Sequence, residues 1–319
     1  MSSADGNHRP GRARSNLIFF GLLVLILLAL PVGWYFFLRR PPAPPPEPPR
    51  PEAQAPVAEV PRPVDIHLAE IEGTVEIRRA DGTWREAAKG DPLKASDAVR
   101  TRDGSVAVLV GGEAWEVRME PGTEVSVDEL TSSITKIMLQ NGMARAKVNG
   151  AAKHTFEVRA AGSDAVATTT RGVFAISNNG AGTVAVGTQE GEVQLSGAGK
   201  VVIVRSGQQS IVRPGVGPSE PTPIPSSLLL KVKWPQKPLL GTNRLVVTGE
   251  TAPGAHVEIG GHVVRANADG RFQHTLRLQE GGNDVTVTAR SVGGTEAASQ
   301  THLQVDTHAP KMGVNVDWK

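Results

Sequence analysis

The chain has 319 residues, with 34 basic and 32 acidic side chains, a net charge of +2 and no cysteine. The missing cysteines exclude a disulfide framework, a thiol nucleophile and a zinc–thiolate centre, and they suit an oxidising compartment. One tyrosine and seven phenylalanines leave no basic stripe with interleaved aromatics, so a nucleic-acid partner is excluded as well.

Met1 to Asn16 is polar, carries Gly and Arg, and is too short to fold, so it reads as a tail. Leu17 to Leu38, LIFFGLLVLILLALPVGWYFFL, is 22 residues long without a single charge. A helix of that length measures about 33 Å, enough to cross a hydrocarbon core of roughly 30 Å. Trp34, Tyr35, Phe36 and Phe37 crowd the exit end, where amphipathic rings sit at headgroup level, and Pro31 predicts a bend near it. A cleaved signal peptide would have an apolar region of about 7–15 residues and a small-x-small cleavage site. Here the run is longer and RRPPAPPPEPP follows it, so a retained anchor is expected. Arg9, Arg12 and Arg14 balance Arg39, Arg40 and Arg50 across the span, so local charge does not orient it. Pro41 to Pro63 holds 11 prolines in 23 residues, which favours polyproline II and a stiff spacer of up to roughly 70 Å.

From Val64 the pattern alternates with period two through Val64, Ile66, Leu68, Val75 and Ile77. It continues as VAVLV (106–110), AWEVRM (114–119), EVSVDEL (124–130), ITKIMLQ (134–140), MARAKV (143–148), HTFEVRA (154–160), AVATTTRGVFAIS (165–177), TVAVGT (183–188), EVQL (192–195), VVIVRS (201–206) and QSIVR (209–213). These segments predict strands. Asp81-Gly82, Asp103-Gly104, Pro121-Gly122, Asn141-Gly142 and Asn179-Gly180 are read as the turns between them. No stretch keeps helical periodicity over three turns, so the expected class is all-β, an antiparallel sandwich or roll, with the strand order open.

Residues 64–214 resemble the FecR domain, the extracytoplasmic part of bacterial iron-citrate-type sensors. The resemblance rests on the order of GTVEI (73–77), GDPLKASDAVRTRDGSVAVLVGG (90–112), PGTEVSV (121–127), LQNGMARAKV (139–148), HTFEVRAAGSDAVATTTRGVFAIS (154–177), GEVQLS and VVIVRSGQQSIV. One departure is the strand near 172, where the family has Gly-Thr-x-Phe and this chain has Gly172-Val173-Phe174. The resemblance implies receipt of an envelope signal. In the family that signal passes from an outer-membrane receptor, through one span, to a cytoplasmic sigma-factor-binding region. The tail at 1–16 has no tryptophan and is expected to be too short for that region.

GVGPSEPTPIPSS (215–227) is read as a second spacer, with a smaller domain at 228–319. LKVKWP (230–235), RLVVTGET (244–251), HVEIGGHVVRANADGRFQHTLRL (256–278) and NDVTVTARSVGG (283–294) give several short strands, punctuated by Pro253-Gly254, Gly260-Gly261, Asp269-Gly270 and Gly281-Gly282. Size and turn spacing suit an immunoglobulin-like sandwich. The stretch PGAHVEIGGHVVRANADGRFQHTLRLQEGGNDVTVTA resembles bacterial Ig-like modules. Trp234 in VKW returns as Trp318 in VDW after Asp306-Thr-His-Ala-Pro310, a weak internal repeat. Such modules occur on exported proteins, and this places the body outside the cytoplasm and the N-terminus inside.

Candidate chemistry is thin. His256, Glu258, His262 and His274 fall on neighbouring predicted strands, with His256 and Glu258 on one face, but isolated histidines on a strand's solvent face read as polar surface rather than a metal site. Asn267-x-Asp269-Gly270 echoes part of a calcium loop, yet Arg265 and Leu276 occupy positions that should hold ligands, so it reads as a turn. Ser163-Asp164 and Thr168 to Thr170 match no nucleophile motif, and consecutive threonines suit a half-buried strand. No catalytic residue, metal or cofactor is assigned, and no ligand-binding residue is named. The reading is a single-pass, membrane-anchored, non-catalytic binding or scaffold protein of the inner membrane, with an envelope protein, cell wall or polysaccharide as partner. Its alternative is a FecR-type regulator that signals through another protein.

Overall fold

The computed structural model describes residues 13–38, 65–79, 82–150 and 154–308. The tail up to residue 12, the arginines after the span, the Pro-rich spacer at 41–63 and the late VDW lie outside the described residues. The chain divides into two compact units, Met1–Val60 and Pro61–Lys319.

In the first unit a helix, α1 (Ala13–Leu38), contains Pro31 without ending there. Within it, Phe19–Phe37 is long and apolar enough to cross a membrane.

The second unit is built from strands. A larger sandwich contains β1 (Ile66–Glu72), β2 (Val75–Arg78), β3 (Trp84–Glu86), β4 (Pro92–Leu93), β5 (Ala98–Thr101), β6 (Val106–Gly111), β7 (Trp115–Met119) and β8 (Glu124–Leu130). It continues with β9 (Ile134–Val148), β10 (Thr155–Ala160), β11 (Val166–Thr169), β12 (Gly172–Asn178), β13 (Val184–Gly197), β14 (Lys200–Arg205), β15 (Gln208–Val212) and β16 (Thr222–Pro223). A smaller sandwich contains β17 (Leu230–Lys233), β18 (Leu239–Leu240), β19 (Arg244–Thr251), β20 (His256–Ile259), β21 (His262–Arg265), β22 (Arg271–Arg277), β23 (Gly281–Arg290) and β24 (Glu296–Val305).

The larger sandwich has two layers. One runs β4, β1, β6, β7, β9, β12, β13, β15, β16. The other runs β3, β2, β5, β8, β9, β10, β11, β13, β14. Two strands therefore belong to both layers. The first part of β9 pairs with β8 and, in parallel, with β10, and from Gly142 onward it pairs with β12 and β7. In β13 the residues up to Gly191 pair with β12 and β15, and those from Glu192 pair with β14 and β11.

Glycine makes these changes of layer possible. Gly142 has φ +99° and Gly191 has φ +75°, and a side chain at either would be strained in that backbone region. Space is short too: a Cβ on Gly142 would lie 2.5 Å from Thr123 Cα, and one on Gly191 would lie 2.7 Å from the Arg171 carbonyl. Three expectations change as a result. Asn141-Gly142 joins no hairpin but bends one 15-residue strand, and the segments expected at 183–188 and 192–195 are one 14-residue strand. Conversely, the single strand expected at 165–177 breaks after Thr169 into β11 and β12, which lie in opposite layers.

The core between the layers is apolar and centred on Trp115, Phe156 and Phe174. Trp115 and Phe156 have ring centroids 5.2 Å apart, and Phe156 and Phe174 6.5 Å. The indole Nε1 donates to Thr135 Oγ1 at 3.1 Å, Thr135 Oγ1 lies 2.9 Å from His154 Nε2, and His154 Nδ1 lies 3.1 Å from the Ser132 carbonyl. Because the indole can only donate, the tautomer with hydrogen on Nδ1 satisfies every member of this chain.

Residues 215–227 contribute to the sheet rather than standing off it. Thr222 and Pro223 pair with Gln209 and Gln208 of β15, Ile224 N donates to the Gly207 carbonyl at 2.8 Å, and Ser219 caps β15 through Ile211 N at 3.1 Å. The smaller sandwich stacks β17-β19-β22 on β18-β24-β23-β20-β21. Its own core includes Leu245, Val247, Val257, Ile259, Phe272, Val285, Val287 and Leu303. β24 reads EAASQTHLQV, too polar to register as a strand from periodicity, and it is recruited by a ten-residue ladder with β23.

Candidate functional site

The feature that organises the second unit is the joint between its two sandwiches. Strands β12 and β13 alternate like any strand, yet most of their residues are buried on both faces. One face, with Phe174, Ile176, Val184 and Val186, enters the main core. The other carries small or apolar residues, Ala175 and Ala185, which join Met143 and the Val292 side chain of the smaller sandwich in a separate apolar cluster, with Ile211 packed against it. Contact is close enough to demand glycine: a Cβ on Gly187 would lie 2.7 Å from the Val292 carbonyl, and one on Gly293 would lie 2.2 Å from the Ile224 side chain.

Polar contacts ring this cluster. Ser177 Oγ donates to the Gly254 carbonyl at 2.6 Å, and Asn179 Nδ2 donates to the Ala266 carbonyl at 3.3 Å. Asp103 accepts from Val263 N at 3.2 Å and pairs with His262 Nδ1 at 3.1 Å. Arg265 Nη2 donates to the Gly122 carbonyl at 3.0 Å and also to Asn141. Arg290 Nη1 donates to Glu120 Oε2 at 2.9 Å. Two polar cavities lie along the seam. One, of about 380 Å³, is lined by Arg100, Arg102, Asp103, Glu124, Asn141 and Arg265. The other, of about 300 Å³, is lined by Arg118, Glu120, Pro121, His256, Glu258 and Arg290 among others.

His256 departs from the sequence reading. Its strand position predicts a solvent-facing side chain, but it is only 8% exposed and lines the seam cavity together with Gly104 and Pro121 of the larger sandwich. Its Nε2 has no hydrogen-bond partner among the described residues. Burial, with Arg290 and Arg265 adding repulsion, holds the imidazole down to about 4, and Asp103 acts weakly the other way.

The other candidates take structural roles. His262 and His274 meet on adjoining strands with ring centroids 5.5 Å apart, and His262 turns its Nδ1 to Asp103. Asn267 Oδ1 accepts from Asp269 N at 2.9 Å and Arg271 N at 2.8 Å, which closes a turn. Ser163 Oγ accepts from Ala165 N at 3.2 Å, and Thr169 Oγ1 lies 2.8 Å from the Glu192 carbonyl. Among the described residues the group with metal-ligand spacing is Glu280, Asp306 and His308, all exposed; none of the four candidates is in it. Here Thr307 caps Glu280 through N at 3.0 Å and Oγ1 at 2.9 Å, so the carboxylate already serves as a turn acceptor.

Comparison with known proteins gives one family. Residues 97–194 match the family model described as FecR protein, from the start of β5 into β13. Two crystal structures of a candidate anti-sigma factor from Parabacteroides distasonis ATCC 8503 align at 19% and 20% identity over 37% of this chain and 55% of theirs, with a TM-score of 0.33. The chain thus spans about half the length of those proteins, 55%. Fibronectin(III)-like modules of Clostridium thermocellum CbhA align at 11% identity over 61% of this chain and 100% of theirs, with a TM-score of 0.21. No curated protein matches the chain.

Proposed function

We propose that the chain is a membrane-anchored regulator of the FecR type, whose larger sandwich receives an envelope signal and passes it on through a partner protein. The observation that carries this reading is the family match at 97–194, which runs from β5 into β13 and includes strands of both layers of the larger sandwich. The apolar helix α1 supports a single span, and the extracytoplasmic position of the domain that the FecR resemblance implies would put the N-terminus inside and the sandwiches outside the cytoplasm. The smaller sandwich is read as an Ig-like module that packs on the signal-receiving domain through the joint.

The other reading is a scaffold that binds an envelope partner without signalling. The family match favours the regulator instead, since regulation is what the FecR resemblance implies. The test is a comparison of transcripts and envelope properties in cells with and without the chain. A regulator predicts a discrete set of transcripts that changes on deletion and returns with the full chain, together with a partner that co-purifies from detergent extracts. Altered envelope strength with no discrete transcript set would return the assignment to a scaffold.

A further inference from the structure

We propose that the joint between the two sandwiches is an acid-released latch and that His256 is its trigger. The proposal concerns a conformational device and holds whether or not the chain is a regulator.

The argument starts from the surroundings of the ring. Its own strand contributes Glu258, two residues on, and the cross-strand partners of His256 are Arg265 on β21 and Arg290 on β23. From the larger sandwich come Asp103 after β5, Arg118 on β7, and Glu120 just beyond it. Two of the three carboxylates are engaged elsewhere, since Glu120 holds Arg290 and Asp103 holds His262 and Val263 N, and the third, Glu258, makes no hydrogen bond to Nε2. A proton on His256 would therefore place a third positive charge beside two guanidinium groups, in a buried setting where Nε2 has no hydrogen-bond partner among the described residues. Moving the smaller sandwich away gives the ring water.

The sign follows from linkage. In the closed joint the ring is held near 4, and once exposed it returns to the ordinary 6.5. The open form binds the extra proton, so closure is fully favoured above 6.5 and loses ground as the pH falls toward 4. Each pH unit in that window shifts the balance by up to about tenfold, and the whole window by about 300-fold. His262 reaches Asp103 across the same seam, with Nδ1 3.1 Å from the carboxylate, and serves as the control position. Opening uncovers Met143, Ala175 and Ala185, so a small change in acidity would present an apolar surface that is absent at neutral pH.

The absence of native cysteine permits a direct test. Spin labels at Lys147→Cys on β9 and Gln273→Cys on β22, both exposed positions on different sandwiches, report the separation by pulsed electron resonance in the full chain in detergent, from pH 7.5 to 4.5. The expected result is one distance at pH 7.5 and a second, longer one that grows relative to the first by up to tenfold per unit below 6.5. His256→Gln and His256→Phe should abolish that slope, and His262→Gln should leave it in place. The variants are judged by slope, so one that loosens the joint at every pH still decides the matter. A single distance down to pH 4.5, an undiminished slope in both His256 variants, or a slope lost with His262→Gln overturns the proposal.

Discussion

Arg290 of the smaller sandwich holds Glu120 of the larger one at 2.9 Å, while its second terminal nitrogen holds Glu296 on its own sheet at 3.1 Å. The carboxylate of Glu120 is only 10% exposed, and Arg118 stands 3.9 Å away on its other side. Removing it leaves two guanidinium groups facing each other across the seam. Glu120→Ala should cost about 1.5–3 kcal/mol, the range for hydrogen bonds to charged groups. Urea unfolding measures it, and a double-mutant cycle with Arg290→Ala should return a coupling of at least about 0.5 kcal/mol. Strict additivity would mean that the two residues do not act as a pair.

The bend of β9 offers a cleaner comparison. Gly142→Ala combines a positive φ with a Cβ 2.5 Å from Thr123 Cα, whereas Gly199→Ala has a positive φ and open space. The second should cost about 1 kcal/mol, and the first about 2–4 kcal/mol once overpacking is added. Thermal melts of the two variants compared with the parent check the difference. Equal losses would show that the corner relaxes freely.

In the core, Trp115→Phe keeps most of the apolar volume but takes away the donor to Thr135. Thr135 Oγ1 and His154 Nε2 then lose the end of their chain in a dry interior. The expected cost is about 1–3 kcal/mol from the lost partner, in addition to the cavity. Adding Thr135→Val should recover no more than part of it, because His154 Nε2 is left without its hydrogen-bond donor. Full recovery would mean that His154 is satisfied without Thr135.

Acid stability should carry the mark of Glu76. Hydrogen bonds from Arg100 at 2.6 Å and Arg102 at 2.6 Å hold its carboxyl down to about 2. A carboxyl lowered in the fold stabilises fully above its ordinary 4.5, and the stabilisation is lost as the pH falls through about 2. Glu76→Gln should flatten the acid limb of stability between those values. Arg102 is half exposed, so salt should shrink the difference. An unchanged limb would mean that the pair contributes nothing to folding.

How far the sequence reaches can be judged from particular residues. Alternation and turn dipeptides disclose an all-β chain behind one apolar helix, since those signals are local. Asn141-Gly142 shows where locality ends. The dipeptide has the chemistry of a hairpin turn, and only its distant partners, Asn178 beside Gly142 and Glu124 beside Asn141, decide that the strand continues through it. β24 is hidden for the converse reason: its polar residues form a strand because β23 offers a ladder, not because they seek a core. His256 reads as surface because the groups that share its cavity, among them Gly104 and Pro121, lie far away in the chain. The FecR resemblance, read from the order of many weak motifs across 64–214, meets a family match over 97–194.

The sharing of β9 and β13 between layers also sets an order in which the larger sandwich can assemble. The first eight strands can form hairpins, but neither layer closes until Ile134–Val148 is present to join them. That strand in turn waits for its parallel neighbour, Thr155–Ala160, and for β12. Pairings this distant make for slow, late cooperative folding. The larger sandwich therefore completes its layers only once the chain has reached about Val212, the end of β15, so a chain cut short before that point would keep strand edges that no neighbour covers.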